Sequence, residues 1–162
     1  MKYLLDTNVF IQASRFYYPM DLFPFFWDWL IEENKKGLIF SIDWVYDEIK
    51  KGKDKLSEWC DKLDEKNWFL SSHYEVTQCI FSDIANWVMN HGKYTKAAKD
   101  EFLSVADPWI IAKAKADNFI VVTQEKSEPQ SKKKIFIPDI CNESDVKYTN
   151  TVEMLRKLQA KF

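Results

Sequence analysis

Residues 4–10 read LLDTNVF, so that a single carboxylate, Asp6, lies between two apolar runs near the start of the chain. Residues 3–5 are apolar and predict a short buried strand that ends just before Asp6. An Asp at the end of a strand has an ordinary explanation, because its side chain often begins a turn. Here the apolar pattern resumes at Val9 and Phe10, so Asp6 interrupts a stretch that otherwise suits a protein core. Its carboxylate is the first candidate functional group.

The rest of the chain alternates short β-rich runs with longer helical ones. The predicted strands are residues 3–5, 38–40, 119–122 and 135–137. The predicted helices are residues 24–36, 41–51 with Ser41 as its cap, 56–63, a helix from the Ser72–Glu75 capping box to His91, a short helix capped by Thr95, 107–116 with Asp107 as its cap, and 151–158. Strands separated by helices need crossover connections, which predicts a mostly parallel sheet covered on both faces.

Length and composition limit the class of protein. With 162 residues, of which 46% are hydrophobic, the chain suits one domain over residues 1–162. No run of about 18 apolar residues is present, so no membrane segment is expected. The three cysteines are widely spaced and odd in number, which disfavours a disulfide framework or a zinc site and favours the cytoplasm. The net charge of −2 leaves a nucleic-acid partner open, because an acidic active site offsets basic residues elsewhere.

Three further acids follow predicted strands or begin helices. Glu48 lies on the helix after the second strand, Asp107 begins a helix, and Glu125 comes just after the strand 119–122. Taken singly, each is explained as a helix cap or a solvated charge. In a parallel sheet, however, ligands bind in the crevice outside the carboxyl ends of the strands. If the strands are parallel, the four acids converge at that edge.

Such convergence has an electrostatic consequence. Two carboxylates about 5 Å apart repel by roughly 3 kcal/mol at an effective dielectric constant of about 20. Four of them either take up protons, with raised pKa values, or bind cations. A set of ligands made only of oxygen suits Mg²⁺ or Mn²⁺ rather than zinc. Acids that hold such ions are suited to the hydrolysis of phosphodiester bonds.

Four segments resemble motifs of the PIN-domain nuclease family. The segment 4–10 resembles the opening of these proteins, and VYDEI at 45–49 resembles the segment that carries their second acid. ADPWIIA at 106–112 and VVTQE at 121–125 resemble the segments of the third and fourth acids. Order and spacing fit over residues 1 to 137. A group of bacterial and archaeal PIN-like proteins also shares a segment similar to IPDIC at 137–141.

The resemblance implies a three-layer α/β/α sandwich and RNA cleavage that depends on Mg²⁺ or Mn²⁺. It implies that the metal is held by Asp6, Glu48, Asp107 and Glu125. Asn8 and Thr123 are expected to orient these carboxylates through hydrogen bonds. One position departs from the family pattern, because the fourth acid is a Glu where Asp is commoner. Asp139 is an alternative source of a carboxylate at that place. Asp47 lies beside Glu48, and the motif favours Glu48.

The resemblance also implies partners. Many relatives are toxins of toxin–antitoxin pairs, neutralised by a small antitoxin protein, and many form homodimers. The Trp and Phe residues between 23 and 29 are expected to lie mostly in the core, and their density leaves room for such a protein surface.

Two other functions stay open. A PIN-like scaffold that binds RNA or a protein without cutting would fit the Glu at position 125. A phosphatase of the haloacid-dehalogenase type also begins with an Asp after a strand, but it needs a second Asp two residues later as acid and base. Asn8 occupies that place, and an amide cannot exchange a proton usefully at neutral pH.

Overall fold

A parallel five-stranded sheet forms the centre of the computed structural model, which describes all 162 residues. Its strands are β1 Tyr3–Leu5, β2 Ile39–Ile42, β3 Phe69–Leu70, β4 Ile120–Val122 and β5 Tyr148–Thr149. They lie in the order β3-β2-β1-β4-β5, and every neighbouring pair is parallel. β1 is central, with Tyr3 opposite Ile39 of β2 on one side and Ile120 of β4 on the other.

Ten α-helices and one π-helix connect and cover the strands. They are α1 Thr7–Gln12, the π-helix Ala13–Tyr17, α2 Pro24–Lys35, α3 Asp43–Lys51, α4 Lys55–Asp61, α5 Glu65–Trp68, α6 Glu75–Asn90, α7 Lys96–Leu103, α8 Asp107–Asp117, α9 Ile137–Glu143 and α10 Thr151–Lys157. Thr95 caps α7, as predicted, and Asn150 caps α10. None of the helices is both long and apolar enough to cross a membrane.

The strand order places helices on both faces of the sheet. From β1 the chain moves to β2 and β3 in one direction, then crosses back to β4 and moves outward to β5. Because crossovers between parallel strands are right-handed, a reversal of direction puts the later helices on the opposite face. The three-layer α/β/α sandwich with a parallel central sheet is thus confirmed.

Burial fixes the central strands in register. Tyr3, Leu4 and Leu5 are at most 1% exposed, and Val121 and Val122 are fully buried. A fully buried aliphatic side chain contributes roughly 1.5–3 kcal/mol, and a slip of one residue would turn each of them to the other face of the sheet. The position of the residue that follows β1 is therefore tightly determined.

One predicted strand is absent and two short ones were not predicted. Residues 135–137 pair with no strand; Ile135 and Ile137 are buried, and Ile137 begins α9. Pro138 explains this difference, because Pro is favoured in the first turn of a helix and donates no hydrogen bond to a sheet. β3 and β5 have only two residues each, too few to show an alternating pattern.

Three predicted helix caps are also corrected. Ser41 belongs to β2 and donates its hydroxyl to Leu5 O at 2.6 Å, so it ties β2 to β1 instead of capping α3. Ser72 lies three residues before α6 and bonds to Asp43 of α3 through both its backbone N–H and its hydroxyl. Asp107 is the first residue of α8, and its side chain makes no cap hydrogen bond. For Ser41 and Ser72 a tertiary contact replaces the local one.

Candidate metal and active site

Asp6 lies at the point where the strand order reverses. Its backbone N–H donates to Val122 O at 3.0 Å, one residue beyond the β1–β4 pairing. The side chain is 1% exposed, although it carries a carboxylate. In open parallel sheets this crevice between β1 and β4 is the usual ligand site.

Thr123 joins Asp6 to the segment after β4. Its hydroxyl donates to Asp6 Oδ2 at 3.2 Å and accepts the backbone N–H of Glu125 at 3.1 Å. Thr123 is itself only 1% exposed, and its hydrogen bond to Asp6 is shielded from water. The hydroxyl thus fixes the orientation of one acid and the backbone of another.

Glu48 reaches the same place from α3. Thr7, the first residue of α1, donates its hydroxyl to Glu48 Oε1 at 2.7 Å. The neighbouring Asp47 is exposed. Successive helical residues are rotated by about 100°, so only one of the two acids faces the crevice, and it is Glu48.

A stack of three aromatic rings holds the helices that carry Glu48 and Asp107. The ring of Trp109 lies 3.9 Å from Phe81 at an interplanar angle of 7°, and 5.4 Å from Trp44 at 15°. Trp44 is on α3, Phe81 on α6 and Trp109 on α8, two residues after Asp107. The stack joins the three helices beside the acids and restricts their relative movement.

Glu125 is held from the far side of the crevice. Its Oε2 accepts the backbone N–H of Ile137 at 2.7 Å, and Lys134 Nζ lies 3.7 Å from its Oε1. Asp139 has different partners. Its carboxylate accepts hydrogen bonds from the Ser127 hydroxyl and, at 3.0 Å, from the backbone N–H of Glu128. The structure therefore places Glu125, and not Asp139, with the other acids.

Burial and the charges of neighbouring acids raise the pKa values of two of the four carboxylates. Burial raises the pKa of Asp6 to about 7, and the negative charges of Glu125 and Glu48 add to this, against the hydrogen bonds from Thr123 and Thr7. Burial also raises the pKa of Asp107 well above its ordinary value, with further contributions from Asp6, Glu125 and Glu48, while Lys134 lowers it. Part of the cluster is therefore protonated near neutral pH.

The donor set fits a hard divalent cation in its chemistry, although it is not a closed cage. The four candidate ligands are all carboxylates, and carboxylate oxygen is the type of ligand that Mg²⁺ and Mn²⁺ prefer. A bound cation would also offset the repulsion that adds to the effect of burial on the pKa values of Asp6 and Asp107. No three acidic, His or Cys side chains are spaced as a ready set of metal ligands in this arrangement.

Two residues differ from the sequence-based expectation. Asn8 is exposed and makes no hydrogen bond to the four acids; Thr7, one position earlier, takes that place because α1 begins there. Lys134 was not predicted. It belongs to a run of three lysines at 132–134, for which a solvent-exposed face is the ordinary interpretation. No local pattern distinguishes the one lysine that reaches Glu125.

Comparison with known protein families gives a match. A family model described as "Domain of unknown function (DUF4411)" matches residues 3–162. No curated protein matches the chain.

Two solved structures show the same fold. VapBC2 from Rickettsia felis, bound to a DNA fragment from its promoter, is 16% identical at a TM-score of 0.57, with 93% of this chain and 98% of that chain covered. FitAcB from Neisseria gonorrhoeae is 22% identical at a TM-score of 0.55, with 91% and 96% covered. At this identity the likeness concerns the fold, which is the PIN-like fold that the four motifs predicted.

Proposed function

The chain belongs to the DUF4411 family and has the PIN-like fold, and on this premise we propose that it is a nuclease. The proposed reaction is the hydrolysis of RNA phosphodiester bonds by an endoribonuclease that depends on Mg²⁺ or Mn²⁺. One observation carries the proposal: four acids from four separate segments meet at the strand-order reversal, and two of them have raised pKa values.

The acids are the proposed metal ligands. Asp6, Glu48, Asp107 and Glu125 would hold the cation, directly or through water. The chemistry that such a cation would supply is the activation of a water molecule and the neutralisation of charge on the scissile phosphate. The chain itself supplies orientation: Thr7 holds Glu48, and Thr123 holds Asp6, so that neither carboxylate has to be ordered when the substrate arrives.

Lys134 has a complementary role in this proposal. Its ammonium group lies 3.7 Å from Glu125 and is half exposed, so it faces both the acids and the solvent. Without metal it offsets part of the negative charge. With RNA present it is placed to attract the backbone phosphate toward the acids, an electrostatic contribution that salt would weaken.

The direct test is calorimetric titration of Mn²⁺ into the protein, together with RNA cleavage. We expect saturable binding by the wild type and its loss in Asp107→Asn. Asp47→Asn is the matched control, because it removes an acid that is exposed beside Glu48. Equal binding and equal cleavage by the wild type and Asp107→Asn would exclude this site.

We also propose a protein partner for an exposed apolar surface, called here the aromatic lobe and formed by Phe16, Leu22, Phe23 and Phe25. These side chains are 46–73% exposed, while Phe26 and Trp27 of the same segment are buried. An exposed cluster of large apolar side chains is typical of a protein interface. Both similar structures carry the names of two-component assemblies, VapBC2 and FitAcB.

The proposed partner is a small antitoxin protein, which would make this chain the toxin. Co-purification of the product of a neighbouring gene, lost in a Phe16→Ser/Phe25→Ser variant, would support it. A homodimer that the same variant converts to monomer, measured by light scattering, would assign the aromatic lobe to self-association instead.

A second function, a scaffold that binds RNA without cutting, is favoured by one observation. Both carboxylate oxygens of Glu125 already have partners, Ile137 N–H and Lys134, so a cation would have to compete with them for the fourth acid. A folded wild type that binds RNA but takes up no Mn²⁺ into the millimolar range would establish this function and exclude the nuclease.

A further inference from the structure

A cavity of about 740 Å³ opens directly beside the acidic site. It lies between the π-helix, the residues that follow β4 and the start of α10. Thr123 and Glu125 belong to both the cavity wall and the acidic site. Cavities of roughly 300–1,000 Å³ are the size that binds small organic groups.

Two of the three tyrosines on its wall have no aromatic partner. Tyr18 is stacked on Phe26 at 4.2 Å and is therefore occupied. Tyr17 and Tyr148 pack against no other ring and are 57% and 37% exposed. Both side chains are thus partly exposed at the cavity wall, with no other ring stacked on them.

One buried polar group of the wall has no hydrogen-bond partner. Thr151 is 4% exposed, and its hydroxyl is the one buried side-chain polar atom of the protein without a hydrogen-bond partner. An unmet group of this kind destabilises the folded protein. The side-chain amides of Gln12 and Gln124 also line the cavity and donate to no protein acceptor. Hydroxyl and amide groups are what reads the edges of a nucleobase.

The π-helix adds an independent observation. Residues Ala13–Tyr17 leave the α-helical geometry of α1, and Tyr18 N–H donates to Ala13 O at 2.7 Å, five residues back. Such turns are rare and occur frequently at functional sites. Here the turn brings Ala13 and Tyr17 to the same cavity wall as Thr123.

We propose that this cavity binds one unstacked nucleobase of single-stranded RNA, from the nucleotide next to the bond that the acidic site cuts. The inference rests on the proposed nuclease function and adds the substrate class to it. Recognition of single strands works through aromatic rings that stack on splayed bases and polar groups that bond to base edges. Lys126, exposed at the rim, is placed for the adjoining phosphate. A duplex would not enter, because its bases are paired and stacked.

Equilibrium binding of fluorescein-labelled RNA hexamers tests the cavity apart from catalysis. Two parent proteins are used: the wild type in EDTA and Asp107→Asn in Mg²⁺. Tyr17→Ala, Tyr148→Ala or Tyr74→Ala is introduced into each parent, and the hexamers are titrated with each variant. Stacking contributes about 1–3 kcal/mol per base, so each cavity variant is expected to weaken binding by roughly 5- to 150-fold. Tyr74 is 62% exposed and lies outside this cavity, so Tyr74→Ala should bind as its parent does.

Thr151→Val is a further variant with two readouts of opposite sign. It removes the unpaired hydroxyl, so the free protein should become more heat-stable. It also removes a group that bonds to the base, so binding should weaken by roughly 2- to 10-fold. A purely structural Thr151 would leave RNA binding unchanged.

The outcomes separate the two proposals. RNA cleavage that is lost on removal of metal, with unchanged binding in both tyrosine variants, keeps the nuclease and overturns the base pocket. Loss of binding in folded Tyr17→Ala and Tyr148→Ala, in a protein that takes up no metal, keeps the pocket and overturns the nuclease. Equal affinity for a hexamer and for its blunt duplex would also overturn the pocket.

Discussion

The two walls of the acidic site are built differently. Asp6, Glu48 and Asp107 lie on a wall of regular structure, held by buried threonines and by the stack of Trp44, Phe81 and Trp109. The opposite wall, residues 124–136, contains no helix or strand and carries Glu125 with the lysines 126 and 134. The packed wall fixes charges whose spacing has to be constant. The irregular wall presents the long, exposed side chains of Lys126 and Lys134, which are suited to a variable substrate.

Among changes to the two walls, Asp6→Asn should have the largest effect on cleavage. It removes a proposed ligand from the packed wall, so cleavage should fall by more than about 100-fold, the upper range for groups that only orient a ligand. Without metal the same change removes a repelled charge whose pKa is raised to about 7. The midpoint of thermal unfolding in EDTA at pH 8 should therefore rise, by roughly 3–10 °C.

The control for this prediction is Asp47→Asn, which removes an exposed acid next to the site. Its cleavage and its thermal midpoint should match those of the wild type. A lower midpoint for Asp6→Asn than for the wild type in EDTA would show that the Asp6 carboxylate stabilises the free protein, and the electrostatic account of the packed wall would be wrong.

Thr123→Val is expected to act less strongly but on the same wall. Valine has the shape of threonine, so the change removes the hydrogen bonds to Asp6 and Glu125 and keeps the packing. Loss of an orienting partner typically costs about 10- to 100-fold in metal affinity. Calorimetric Mn²⁺ titration measures this, with Thr77→Val, a buried threonine of α6, as the control. Wild-type affinity in Thr123→Val would mean that packing alone orients Asp6.

The packed wall is also the part of the site that the sequence could predict. Asp6 stands out because it interrupts an apolar run, and β1 is buried on both faces. Thr123 comes directly after β4, and parallel strands bring such positions to one edge. The same argument predicts that Glu125 faces this edge from the opposite wall. Here local pattern and sheet geometry agree, so the meeting of the four acids could be expected before the structure was known.

The irregular wall could not be predicted, for a physical reason. Residues 124–136 follow no period of 2 or 3.6, so the sequence does not show which lysine turns toward Glu125. The cavity wall brings together Tyr17, Tyr148 and Thr151 from distant segments, and β5 is too short to be recognised. Asn8 was expected in place of Thr7 because the choice depends on the residue at which α1 begins.

The third prediction concerns pH. Because the folded pKa of Asp6 is about 7 against an ordinary value of 3.8, the folded protein binds this proton more tightly than the unfolded chain. Its contribution to stability is complete below pH 3.8 and is lost as the pH rises through 7, so the metal-free protein should be less stable at pH 8 than at pH 5. Urea unfolding in EDTA measures this.

The same proton competes with the metal. Between pH 6 and pH 8 the release of the Asp6 proton should strengthen Mn²⁺ binding by about tenfold. Asp6→Asn should show a flatter dependence of stability on pH than the wild type. Mn²⁺ affinity that is constant from pH 6 to pH 8 would contradict the assignment of Asp6 as a ligand.

The smallest expected effect tests the irregular wall. Lys134 is half exposed and lies 3.7 Å from Glu125, so its charge is partly screened by water. Lys134→Met removes a positive charge that competes with a cation for Glu125, so Mn²⁺ affinity should rise by roughly two- to fivefold. RNA affinity should fall by a similar factor at low salt, because a charge that attracts phosphate is removed.

Lys133→Met is the control, since Lys133 is exposed and forms no ion pair. If Lys134→Met lowered both affinities, the lysine would be holding Glu125 in place, and the irregular wall would be as fixed as the packed one.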